Sequence, residues 1–225
     1  GYMRMYHHKY LELLREACTK FNVHLIADEI AVGFGRTGTM FGFEQAKITP
    51  DIICLSKGIT GGYMTLSTIL TTDDIYDAFY DEYEKLNAFL HSHSYTANPI
   101  ACSAANATLD LFKKKKVIEN NKKLSLHMKK CFESLNEHPH VSDVRQKGMV
   151  LAIELVKNKK KKIAYDWKER RGIKAYLHGL KNNVLMRPLG NVLYFMPPYV
   201  ITKKEISFVS EIMKEGVDEA TKKSS

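Results

Sequence analysis

The 225 residues are 44% hydrophobic and 26% charged, a balance that excludes a disordered or fibrous chain and leaves room for one large or two small cores. The formal net charge of +9 raises nucleic acid as a partner, but much of the excess lies in two runs, 113–116 and KNKKKK over 157–162, which lack interleaved aromatics and read as solvated loops. No apolar run reaches bilayer length and GYMRMYHHKYLELL lacks a signal-peptide layout, so we expect no membrane span, while Cys18, Cys54, Cys102 and Cys131 without a CxxC pair read as reduced, mostly buried thiols of a cytosolic protein.

In chain order, residues 5–22 form an amphipathic helix with Tyr10, Leu13, Leu14 and Ala17 on one face. VHLIADEI and PDIICLSKGI read as buried parallel strands, and TLSTILTT as a third, β-branched strand. DDIYDAFYDEY follows as a helix with acidic residues in its first turn. ANPIACSAANATLDLF is a small-residue helix with Pro99 near its start, suited to close packing, and ENNKKLSLHMKKCFESLNEH a longer amphipathic one. The pattern changes near His138, giving domains 1–137 and 138–225. After it come two strands in VSDVRQKGMVLAIELV, a helix in DWKERRGIKAYLHGLKNN and a hairpin around Leu189, Gly190 and Asn191. The last helix starts at Thr202, with Glu205 completing a capping box.

Chemistry concentrates in LIADEIAVGFGRTGTMFGFEQAKITPDIICLSKGITGG, residues 25–62. Alone, Lys57 is a solvated strand end and Asp28-Glu29 a cap or turn. Together they are an amine and a carboxylate at the ends of two parallel strands, where open α/β sheets place ligands. Enzymes that use pyridoxal phosphate need this pair, a lysine for the aldehyde and a carboxylate to keep the pyridine nitrogen protonated. His91 and His93 lack a third ligand at suitable spacing, so no metal site is expected. Arg187, between an apolar strand and a proline, is either a buried ion-pair member or a fork for a carboxylate. Arg36, in a glycine-rich turn, fits a structural ion pair at least as well as a phosphate site and is left out.

The order Asp-Glu-Ile, Gly-Phe-Gly-Arg-Thr-Gly, Pro-Asp-Ile and Ser-Lys-Gly resembles the signature of the class III aminotransferases, which have the type I fold of pyridoxal-phosphate enzymes. The resemblance implies an α/β chain, part of a large, mostly parallel sheet domain followed by a small C-terminal α+β domain. It implies Lys57 as the Schiff-base lysine, Asp28 as the pyridinium partner and Ile30 as the apolar cover of one ring face; Ala31 stands where many members carry glutamine. HSHSYTANP resembles the family segment whose threonine reaches the cofactor phosphate of the neighbouring subunit, which implies a homodimer. Here Ser94 and His93 occupy that place, and Ser92 replaces a glycine at a substrate contact. Arg187 would hold a substrate carboxylate. RPLGNVLYFMPP, with MRMYHH and TGGYMTLSTILTT, is similar to the branch that moves an amino group from S-adenosylmethionine to 8-amino-7-oxononanoate in biotin biosynthesis. The expected cofactor is pyridoxal 5'-phosphate, with small-molecule substrates, no nucleic acid and no membrane. The resemblance spans only the second half of family members, so we expect an incomplete copy. Three alternatives stand beside this reading: a class III enzyme with an omega-amino acid or diamine donor, a non-catalytic fragment needing its N-terminal half, and a basic nucleic-acid module.

Overall fold

Helix α1 (Lys9–Lys20) leads into β1 (Ile26–Asp28) in the computed structural model, which describes residues 3–222. The chain divides into two compact units, Tyr6–Ile118 and Glu119–Ser225 together with the segment up to Met5. In the first unit β1 pairs in parallel with β2 (Ile52–Leu55), Asp28 opposite Cys54, and β2 pairs antiparallel with β3 (Thr68–Thr71). Asp51 sets that register. Its carboxylate accepts the Leu25 N–H at 2.6 Å and the Arg15 guanidinium at 2.7 Å, while its own N–H donates to the Leu25 carbonyl at 2.9 Å.

The expected parallel pairing is present, but the expected burial of β1 is not. It is an edge strand, and Ile26 is 58% exposed. No residue of α1 is buried, and of the expected apolar face Tyr10, Leu13 and Ala17 are exposed. Helix α2 is only Asp73–Asp77, where a longer helix was expected; Phe79, Tyr80 and Tyr83 beyond it are exposed, and a helix that short does not propagate without a packed apolar face. The small-residue helix forms as α3 (Pro99–Lys114), with the Asn98 side chain accepting from the Ile100 and Ala101 N–H groups. Buried Ala101 and Ala105 let it lie close to the turn at Lys57–Thr60. A small core of Phe34, Leu55, Ile59 and Ala105 sits beneath that turn.

All but the first two residues of α4 (Val117–Phe132) belong to the second unit, whose core Met128 and Phe132 enter. Strands β4 (Val141–Lys147), β5 (Val150–Asn158) and the short β6 (Ile163–Ala164) precede α5 (Arg171–Lys181). The predicted hairpin is β7 (Arg187–Leu189) and β8 (Val192–Phe195), with Gly190 at φ 62° in its turn, and α6 (Lys203–Thr221) closes the chain. The sheet is antiparallel in the order β4-β5-β8-β7, with β6 beside β5. Its core joins Ile153, Leu155 and Leu193 of the sheet to Ile206, Met213 and Val217 of α6. The four cysteines are free and half-buried rather than buried. Among the described residues no helix is long and apolar enough to cross a membrane, and no group of three His, Cys, Asp or Glu could hold a metal ion.

Candidate active site

Asp28 is the last residue of β1, and Lys57 follows the last residue of β2 by two positions. The strands are parallel neighbours, so both groups stand at the carboxyl edge of the same sheet. The pairing continues one residue past Asp28, where the Glu29 N–H donates to the Cys54 carbonyl at 3.0 Å. Asp28 Oδ1 accepts the Ile30 N–H at 3.1 Å, a local turn that fixes the carboxylate and leaves Oδ2 without a partner among the described residues. Lys57 is exposed, and its amine has no hydrogen-bond or ion-pair partner among them. A free amine and a free carboxylate oxygen on adjacent strand ends fit the two needs of pyridoxal phosphate, an amine for the aldehyde and an acid for the ring nitrogen.

Lys57 sits at φ 46°, in the left-handed region, as the first residue of a 3-10 turn over Lys57–Thr60. Neighbours the sequence reading did not single out hold it there. Phe34, 3% exposed, lies directly under the turn, and a Cβ on Gly58 would come within 2.8 Å of its side chain. Only glycine allows that approach immediately after the lysine. Ser56 Oγ donates to the Leu66 carbonyl at 2.7 Å and the buried Thr60 Oγ1 to the Met64 carbonyl at 2.6 Å, closing the following loop. Glu29 is also buried, with its carboxylate accepting the Gly42 and Phe43 N–H groups at 2.9 and 3.1 Å. Burial pushes its pKa above the ordinary carboxylate value, and the two N–H groups pull it partly back. The sequence signal was the Asp-Glu pair itself, read as a cap or turn.

Ile30 is half-buried beside Asp28, and Ala31 after it is exposed. His91, Ser92, His93 and Ser94 lie in an exposed loop of the same unit. His93 shapes that loop: its Nδ1 accepts the Tyr95 N–H at 3.2 Å, and its backbone N–H donates to Thr96 Oγ1 at 3.1 Å. Ser92 has no positive φ, so a serine stands where the family has glycine without left-handed strain. The Ser94 hydroxyl has no partner among the described residues. Arg36 is half-buried and engaged. Arg187 belongs to the other compact unit, where it begins β7 opposite Tyr194 with its guanidinium 6.0 Å from that ring's centroid. It is exposed and has no carboxylate within ion-pair reach among the described residues, so of its two readings the buried ion pair is removed.

Residues 1–217 match the family described as "Aminotransferase class-III". The adenosylmethionine-8-amino-7-oxononanoate aminotransferase of Helicobacter pylori is 46% identical over 226 residues, covering 99% of this chain and 50% of the relative. The crystal structure of the enzyme with that name from Methanocaldococcus jannaschii DSM 2661 aligns with a TM-score of 0.89 at 42% identity, over 93% of this chain and 49% of that one. An omega transaminase from Pseudomonas jessenii, solved in complex with PMP, also has a TM-score of 0.89, at 27% identity over 94% of this chain and 47% of that one. The chain spans about half the length of the curated relatives it matches.

Proposed function

This chain belongs to the class III aminotransferases, and on that premise we propose that it carries one part of a pyridoxal-phosphate-dependent transaminase that moves an amino group from S-adenosylmethionine to 8-amino-7-oxononanoate. The product is 7,8-diaminononanoate, the pathway biotin biosynthesis and the compartment the cytoplasm. Because the stretch corresponds to about half of its relatives, the activity is assigned to the assembled enzyme, a homodimer, rather than to these 225 residues alone. The observation that carries the reading is the free Lys57 amine and the free Asp28 oxygen on the carboxyl ends of two paired parallel strands.

When bound, pyridoxal phosphate supplies an electron sink for the substrate carbanion. Lys57 Nζ would hold the cofactor and, once displaced by the donor amine, would serve as the base that takes the proton from the donor's amine-bearing carbon. Asp28 Oδ2 would keep the proton on the ring nitrogen, and Ile30 would be the apolar cover of the ring. Ser94 and His93 are assigned to the phosphate of the partner subunit, a role supported by an exposed loop whose serine hydroxyl is unengaged. Ser92 lies at the substrate contact, and Arg187 forks the substrate carboxylate with two parallel N–H donors.

A second reading, an omega-amino acid or diamine donor, draws on the omega transaminase that matches equally well in fold. Fold therefore does not separate the donors; the higher identity to the named biotin-pathway relatives favours S-adenosylmethionine. The test is the visible absorption of the purified protein with added pyridoxal phosphate, followed by parallel donor assays. We expect a lysine-dependent band that Lys57→Ala abolishes, and turnover with S-adenosylmethionine. A band that survives Lys57→Ala rejects the site, and turnover only with an omega-amino acid or diamine moves the assignment to the second reading.

A further inference from the structure

The geometry points to Glu29 as the positioning residue for Asp28, holding the carboxylate of the neighbouring residue in the orientation a pyridinium partner requires. The inference rests on the reading of Asp28 given above and concerns a residue that touches neither cofactor nor substrate. Glu29 is tied at three independent points. Its N–H donates to the Cys54 carbonyl of β2 at 3.0 Å, its carbonyl accepts the Gly33 N–H at 2.9 Å, and its carboxylate accepts the Gly42 and Phe43 N–H groups. The last pair opens a 3-10 helix, Gly42–Ala46, thirteen residues downstream.

The residue is 4% exposed. A carboxylate in that position is costly to bury, and its two backbone donors offset only part of the cost. Space has been made for it on two sides. A Cβ on Gly42 would stand 3.2 Å from Glu29 Oε1, and a Cβ on Gly33 only 2.8 Å from the Glu29 carbonyl. These ties leave the backbone from Asp28 to Ile30 no freedom to swing. The turn in which Asp28 Oδ1 accepts the Ile30 N–H spans Glu29, so it holds its shape only while that residue is held. Without the anchor, both oxygens of Asp28 sample several directions, and the free one no longer points in a single direction.

Glu29→Gln tests this with little change of volume. The amide keeps one acceptor but turns an N–H₂ donor toward the second backbone N–H, so the anchor is weakened and not excised. Amide hydrogen exchange on the purified chain, which needs no cofactor, should show about five- to tenfold faster exchange at Ile30 and Gly33 as well as at Gly42 and Phe43. With pyridoxal phosphate bound, the pH profile of its visible band should move in the same direction as in Asp28→Asn, by a smaller amount, because Asp28→Asn removes the ring nitrogen's carboxylate partner and Glu29→Gln only loosens it.

Faster exchange confined to Gly42 and Phe43, with Ile30 and the band profile unchanged, overturns the inference and leaves Glu29 as a helix cap. If the unaltered protein gives no band, the cofactor-binding role of Asp28 fails for this chain, and the Ile30 exchange still decides the positioning role. Should Glu29→Gln lose its fold by circular dichroism, Gly42→Ala presses on the same carboxylate without changing its chemistry. It must then reproduce the faster Ile30 exchange for the inference to stand.

Discussion

Asp51 fixes the strand pair that carries Asp28 and Lys57, and its contribution can be read through pH. The Leu25 N–H, and after it the Arg15 guanidinium, hold its carboxyl below the ordinary value of 3.8. A depressed folded pKa means stability that is fully present above the unfolded value and lost as the pH falls through the folded one. Asp51→Ala should therefore cost about 1–3 kcal/mol at neutral pH, measured by urea unfolding, for a charge-assisted hydrogen bond and an ion pair on a side chain mostly sheltered from water. The difference from the unaltered protein should shrink only below about pH 3.8. An equal difference at pH 7 and well below 3.8 would mean that packing, not the carboxylate, accounts for the loss. At the same scale, the candidate site residues were legible in the sequence, and the residues packed around them were not. Asp28 and Lys57 announce themselves because each ends an apolar run that forms a strand. Glu29 and Phe34 stayed hidden because their partners are remote in the chain: Gly42 and Phe43 for one, Gly58 for the other. No local pattern encodes that closure.

Elements defined by local rules formed where the sequence places them. Helix α6 starts at Thr202 with both halves of the capping box: Glu205 N–H donates to Thr202 Oγ1 at 3.2 Å, and Thr202 N–H donates to Glu205 Oε2 at 2.7 Å. Helix α3 starts at Pro99 behind the Asn98 cap, and the 189–191 turn joins β7 to β8. Elements whose existence depends on burial departed from expectation. The 73–83 segment has the composition of a helix, but its aromatic residues find no surface to cover, and five helical residues remain. In α1 the helical period is present, while Tyr10 and Leu13 stay more than half exposed. The contrast gives a prediction for α6. Its cap operates locally, and its buried face, with Ile206, Met213 and Val217, is packed by the second unit's core. Thr202→Ala should thus lower stability by about 1 kcal/mol without unwinding the helix. Thermal unfolding by circular dichroism should show a reduced midpoint with unchanged helical signal at 25 °C. A drop in that signal would mean that the cap, and not the packed face, maintains the helix.

At the scale of the molecule, the two units differ in how much apolar surface holds them together. Among the described residues the Glu119–Ser225 unit has a core cluster of seventeen buried side chains, and the cluster beneath the Lys57 turn has four. Buried apolar area is the main source of stability, so we expect the unit that bears Asp28 and Lys57 to be the less stable one. Its large exposed residues point the same way; Tyr63, Leu90 and Tyr95 are all more than three-quarters exposed. Local opening follows the lowest free energy available, and amide protection reports it unit by unit. Hydrogen exchange followed by mass spectrometry should therefore label the Tyr6–Ile118 unit first, with β5, β8 and α6 of the other unit protected longest. A ligand that binds only the folded site raises the stability of that site by mass action, about 2.7 kcal/mol at a hundred times its dissociation constant. Added pyridoxal phosphate should accordingly slow exchange around β1, β2 and the Lys57–Thr60 turn, and Lys57→Ala should remove most of that protection while leaving the second unit's exchange untouched. Equal labelling of both units without cofactor would show that core size does not set their relative stability, and protection by pyridoxal phosphate that survives Lys57→Ala would place its binding elsewhere on the chain.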